Sequence, residues 1–269
     1  MFLADPPPNP WDLRFQILGT PVRITPWFWL AGALLGWSFA SGIGNDPRFN
    51  LSVGAALLMW IAVVLVSILV HEFGHALAFR FYGIHAHIVL YHFGGFAAPY
   101  STSAFGRQMR LSPRQHIVVS AAGPVASLAL GIAVAAAFYL RGYFVPNPLP
   151  FIHQLDFLEE HHRLPSLAML ALLDAILFVN IGWAVMNLLP VYPLDGGQIS
   201  REVFTLTTPR EGIRYSLILS MVAAAAVAVW AVSRHDTYLA IMFGMLAFSS
   251  YQTMQAYFGR GGGFGGGRW

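Results

Sequence analysis

Residues 66–79 read Val66-Ser67-Ile68-Leu69-Val70-His71-Glu72-Phe73-Gly74-His75-Ala76-Leu77-Ala78-Phe79. This is the end of an apolar run, from about residue 52 to 80, interrupted by two imidazoles and a carboxylate within five positions. The run is longer than the about 20 residues that a membrane-crossing helix needs. Ionisable side chains at membrane depth are costly, and a purely structural helix has little reason to place three of them together. On a helix, positions i and i+4 share a face, so His71 and His75 can bind one metal ion. Glu72 then sits beside the attacking water, where it can take the proton as that water adds to a carbonyl. The alternative is a polar helix end set against lipid headgroups.

The rest of the chain agrees with a membrane setting. Of its 269 residues 57% are hydrophobic and 10% charged, with a mean hydropathy of +0.59. A soluble domain of this size carries a far more charged surface, so the composition points to a polytopic, all-α membrane protein. The net charge of +3 is small, and the 15 basic residues, all Arg, are spread along the chain, which excludes a nucleic-acid-binding patch. With no cysteine there is neither a disulfide nor a thiolate metal site, so any metal is held by His, Asp or Glu.

Six stretches are long and apolar enough to span: roughly 26–42, 52–80, 114–140, 166–190, 212–232 and 237–258. Between the second and third, residues 84–100 alternate around Gly94-Gly95 and predict a small membrane-associated β-sheet or hairpin. This gives a cytoplasmic N-terminal segment over 1–25, a six-helix membrane domain over 26–258 with its core at about 52–200, and a flexible Gly-rich tail over 259–269. The N-terminal segment lacks the ordered regions of a signal peptide and reads as a Pro-rich polar lead-in. If the helices alternate in direction, Arg14, Arg23, Arg107, Arg110, Arg201, Arg210, Arg260 and Arg268 fall on one side. Arg48, Arg141, Arg163 and Arg234 fall on the other, so both termini are expected in the cytoplasm.

A catalytic zinc takes three protein ligands and keeps one position open. The best third candidate is Asp195, in Asn187-Leu-Leu-Pro190-Val-Tyr-Pro193-Leu194-Asp195-Gly196-Gly197, where two prolines end the fourth apolar run. A plain helix terminator with a surface Asp is the competing reading. Helices two and four run in the same direction, so both motifs are expected at the same membrane face.

The pairing of H-E-x-x-H with N-x-x-P-x-x-P-L-D-G-G resembles the site-2 protease family of intramembrane zinc metalloproteases, over about residues 52–200. The resemblance implies that His71, His75 and Asp195 hold Zn2+, that Glu72 is the catalytic base, and that Asn187 binds substrate near the active site. An amide at Asn187 can donate to the scissile carbonyl or the oxyanion. Gly94-Gly95 is similar to the family's Gly-containing sheet segment, whose strand edge would take an unwound substrate as an added strand. Ala121-Ala122-Gly123-Pro124 matches the family's Gly-Pro in the third helix, where small residues allow close helix approach. The expected branch is the compact sporulation-type one, without a PDZ or cystathionine-β-synthase domain. The expected partners are a transmembrane protein substrate and the lipid bilayer, with no nucleic acid; the oligomeric state, a homo-oligomer included, stays open. The expected setting is a bacterial plasma membrane.

Two rival functions remain at this stage. A peptidase acting on cytosolic or prenylated peptides would draw its third ligand from a downstream helical Glu, and Glu159, Glu160, Glu202 and Glu211 all fall in loops or helix margins. A zinc-binding transporter or non-hydrolytic binding protein would carry inverted repeats, and none is evident. His85, His87 and His92 could suggest a second metal site, but with no nearby carboxylate to complete the set they read as sheet or loop histidines, with His92 as an active-site neighbour to watch. His153, His161 and His162 read as part of a solvated loop. Asp174 and Asn180, inside the fourth run, serve either function or a hydrogen bond to a neighbouring helix.

Overall fold

The computed structural model describes residues 7–92, 94–99, 111–146 and 164–258. The loop carrying His153, His161 and His162, together with Arg107, Arg110, Arg163 and the tail from 259, lies outside the described residues. The chain divides into two compact units: residues 1–110 with 122–186, and residues 111–121 with 187–269.

The first unit holds a four-stranded sheet in the order β1-β2-β3-β4. Its strands are β1 Leu13–Ile17, β2 Thr20–Ile24, β3 Ala86–Tyr91 and β4 Gly94–Pro99. The β3–β4 hairpin is the one the alternation at 84–100 predicts. The N-terminal strands are a finding beyond that prediction, because residues 13–24 read as a polar lead-in. Val22 and Ile24 alternate inward and are 2% exposed, while the other residues of β2 are Thr20, Pro21 and Arg23, so too few apolar positions remain to stand out. β1 and β2 pair antiparallel through a two-residue turn in which Leu18 and Gly19 both have positive φ, as a type I′ hairpin requires. β2 then pairs parallel with β3, Val22 opposite Ile88 and Ile24 opposite Leu90. Ile88, Val89 and Leu90 are fully buried. β4 pairs antiparallel with β3 and forms one edge of the sheet.

Between β2 and β3 run α1 (Pro26–Gly44) and α2 (Val53–Phe81). α2 is apolar on every side, yet its buried residues, Ala56, Trp60, Val63, Val64, Ser67, Ile68, His71, Glu72, His75, Ala76 and Phe79, recur at helical spacing. One face is therefore packed and the remainder is left for lipid. Gly36 of α1 lies on the Trp60 indole, and Phe39 packs against the same ring at 5.1 Å, so the absent side chain is what lets the helices approach. Ser52 caps α2 by accepting from the Ala55 N–H at 3.2 Å.

α3 (Pro113–Tyr139) contributes its residues from Ala122 onward to this unit. α4 (Leu167–Leu177) leads into a π-helical segment, Phe178–Gly182, and then α5 (Trp183–Asn187). The fourth apolar run is thus one helix with a π-bulge in it.

The second unit contains α6 (Asp195–Thr207), α7 (Gly212–Ser233) and α8 (Thr237–Phe258). The sequence predicts a loop over 191–211, and α6 replaces most of it. The turn before α6 is fastened by side-chain hydroxyls. Tyr192 N–H donates to Ser220 Oγ at 2.8 Å, and Ser220 shares a 2.8 Å hydrogen bond with Ser250 of α8. Val191 is fully buried beneath that turn.

The predicted class is borne out in its coarser form: a mostly helical protein with a small sheet. Among the described residues four helices are long and apolar enough to cross a membrane: Val53–Phe81, Pro113–Tyr139, Leu167–Asn187 and Gly212–Ser233.

Candidate metal centre

His71, Glu72 and His75 stand on the packed face of α2 and are 9%, 4% and 8% exposed. The i, i+4 spacing brings the two imidazoles edge to face, with ring centroids 4.9 Å apart and planes at 77°. Their Nε2 atoms converge to 3.2 Å. Two nitrogen ligands at about 2.05 Å from a tetrahedral zinc ion stand about 3.3 Å apart. The pair therefore fits a metal site without rearrangement.

α3 closes against this pair by means of small residues. A side chain at Gly123 would collide with both Nε2 atoms, and one at Gly74 would collide with the Ala122 carbonyl. The Gly-Pro of α3, read from sequence as a packing feature, does pack, but it packs directly over the imidazoles. One turn further along α3, Ser127 Oγ lies 3.2 Å from His71 Nδ1, and both are buried. Sequence reasoning missed Ser127. Its only signal was a position four residues after Gly123 on a helix, which means nothing until the helix has a neighbour.

Glu72 lies under the sheet edge. A side chain at Gly95 of β4 would meet Glu72 Cγ and Oε1 at 2.7 and 2.8 Å, so only glycine leaves the carboxylate its place there. Further along α2, Ser67 accepts from Asn180 Nδ2 at 2.8 Å, and the same amide donates to Ile176 O at 2.8 Å. Asn180 is 1% exposed and sits in the π-segment. Of the two readings open for Asn180, the hydrogen bond to a neighbouring helix is the one observed. Asp174 is exposed on α4.

Asn187 is the last residue of α5, and Asp195 is the first residue of α6. Both are partly buried. Gly196 and Gly197 are buried against the backbone of Leu188, Leu189, Val191 and Tyr192, where any side chain would clash. The Gly-Gly that follows Asp195 is therefore a packing requirement of the turn that presents it. His85 and His92 are exposed and His87 is partly buried, with the His92 ring edge-on to Tyr91 at 5.1 Å.

A helical membrane domain whose most hydrophobic helix buries a His-Glu-x-x-His face defines a class: integral membrane proteins built around an inward-facing metal-binding motif. The model of Peptidase family M50 matches residues 59–229, and the chain belongs to that family. A protein of Synechocystis sp. named "Putative zinc metalloprotease" is 29% identical over 193 residues, covering 70% of this chain. The match spans 42% of that relative's length. The structure of the site-2 protease from Methanocaldococcus jannaschii superposes with a TM-score of 0.53 at 20% identity, covering 91% of this chain and 95% of that one. The fold is therefore that of a site-2 protease.

Proposed function

We propose that the chain is an intramembrane zinc metalloendopeptidase that hydrolyses peptide bonds in transmembrane segments of other membrane proteins. The observation that carries this reading is the convergence of His71 and His75 Nε2 at 3.2 Å beside a buried Glu72 on an apolar helix. Membership of a peptidase family supports it further.

His71, His75 and Asp195 would hold the zinc. When bound, zinc supplies Lewis-acid polarisation of the scissile carbonyl and a lowered pKa for water. Glu72 takes the proton of the attacking water and delivers it to the departing amine nitrogen, so the carboxylate ends the cycle as it began. The Asn187 side-chain amide donates to the carbonyl oxygen as negative charge grows on it. A substrate segment, unwound from its helix, adds its backbone to the outer edge of β4. Gly95 leaves the region beside Glu72 clear of side chains, which favours backbone recognition over side-chain recognition.

In the bilayer α1 and α8 complete a set of six spans over residues 26–258, with segments 1–25 and 259–269 outside it. The Arg distribution supports cytoplasmic termini, and the setting proposed is a bacterial plasma membrane.

The direct test is the metal content of detergent-purified protein, wild type beside Asp195→Ala. About one zinc per chain in the wild type and far less in the variant supports the ligand set. Equal zinc in both removes Asp195 from it. Cleavage of a transmembrane peptide in proteoliposomes then separates hydrolysis from mere binding.

A further inference from the structure

A neutral imidazole carries one ring proton. If His71 gives Nε2 to a metal, that proton resides on Nδ1, and a buried N–H needs an acceptor. His71 Nδ1 has Ser127 Oγ at 3.2 Å, with the serine 4% exposed on the neighbouring helix. A serine inside a helix otherwise bonds its own preceding carbonyl or faces out. Here it is turned inward, one turn beyond the glycine that makes room for the two Nε2 atoms.

We propose that Ser127 is a positioning residue for the metal centre: its hydroxyl oxygen accepts the Nδ1–H of His71 and so fixes Nε2 as the ligating nitrogen. The proposal rests on the zinc reading given above. The α3 helix then serves the centre twice from a single face. Gly123 leaves space on the ligating side of the rings, and Ser127 holds the far side of one of them. Without the hydroxyl, the His71 ring can rotate about its Cβ–Cγ bond or carry its proton on Nε2, and both arrangements withdraw the ligand. The hydrogen bond also makes the imidazole a better donor to the metal, because it stabilises the positive charge that the ring acquires.

The test is zinc affinity, measured on the full chain in detergent by competition with a fluorescent chelator. Ser127→Ala should bind zinc about 10- to 100-fold more weakly than wild type. Ser127→Thr, which keeps the hydroxyl, should bind within about threefold of wild type. Thermal unfolding of the metal-stripped proteins should fall no further for Ser127→Ala than the loss of one interhelical hydrogen bond explains, which separates loss of a ligand's support from general loosening. Zinc affinity unchanged in Ser127→Ala, or weakened equally in Ser127→Thr, overturns the proposal. A wild-type protein that binds no zinc overturns the metal reading itself, a different result from tight wild-type binding with an indifferent Ser127→Ala. A measurement free of variants is the NMR spectrum of the zinc-loaded wild type with 15N-labelled histidine. The His71 ring proton should appear on Nδ1, and a proton on Nε2 overturns the proposal.

Discussion

Gly123 and Glu72 are the single residues on which the centre is most exposed to substitution. A methyl at Gly123 occupies the space in front of His71 and His75 Nε2, against a helix that cannot retreat without breaking its contact at Gly74. Gly123→Ala should therefore reduce zinc content sharply while leaving helicity intact, as metal analysis and circular dichroism would show. Glu72→Gln keeps the side chain's size and should retain zinc but lose about 100-fold or more of the cleavage rate in proteoliposomes. If Glu72→Gln cleaved at the wild-type rate, the carboxylate would not be the base. At this scale much was legible in the sequence. The His71/His75 pairing is a property of a single helix, and i, i+4 spacing is enough to read it. Ser127 and the contact of Gly95 with Glu72 were not legible, because each depends on which helix or strand comes to lie against α2. Asn180 was visible as an oddity, and only its bond to Ser67 decided between its two readings.

The most informative element is the π-segment Phe178–Gly182. A π-turn inserts one extra residue into a helix and leaves its hydrogen bonds out of step. The Asn180 side chain mends this by donating to the Ile176 carbonyl, and it spans to Ser67 with the same nitrogen. Asn180→Leu should cost about 1–2 kcal/mol, within the range of interhelical polar contacts in membranes. Thermal unfolding in detergent would check this, with Ser67→Ala giving a comparable loss. The double variant should lose little more than Asn180→Leu alone, because that change already removes the bond to Ser67. Periodicity does not reveal such a bulge, since one added residue in a helix apolar on all sides changes no pattern. The same limit explains α6. Its charged residues Arg201 and Glu202 suggest a loop, whereas spacing on a short helix satisfies them equally well. The reverse holds for β3–β4, where alternation around a Gly pair was signal enough.

At the scale of the whole molecule, composition located the apolar helices closely. The predicted runs 52–80 and 114–140 correspond to Val53–Phe81 and Pro113–Tyr139. Lipid and protein interior are both apolar, so hydropathy finds a span without telling which face is packed. What remained hidden is the contribution of residues 13–24 to the sheet, because pairing between distant segments leaves no local trace. Arg14 and Arg23, with Asp12 accepting from Arg23 at 3.2 Å, dress that segment as a solvated lead-in. Removing residues 1–19 should nonetheless lower activity, since it strips β1 from β2 and deletes the Leu18 carbonyl that Arg80 Nη1 reaches at 3.0 Å. Cleavage assays on the truncated chain would measure it. An unaltered rate would show that β1 is dispensable.

The parallel pairing of β2 with β3 also bears on the order in which the protein is made. Val22 leaves the ribosome early and must wait for Ile88, and the two helices between them have to be laid down before the strands can meet. β4, which lies over Glu72, comes later still. A nascent chain thus carries its His-Glu-x-x-His helix before the strand that covers it, and Glu72 acquires the edge of β4 above it only as synthesis passes residue 99.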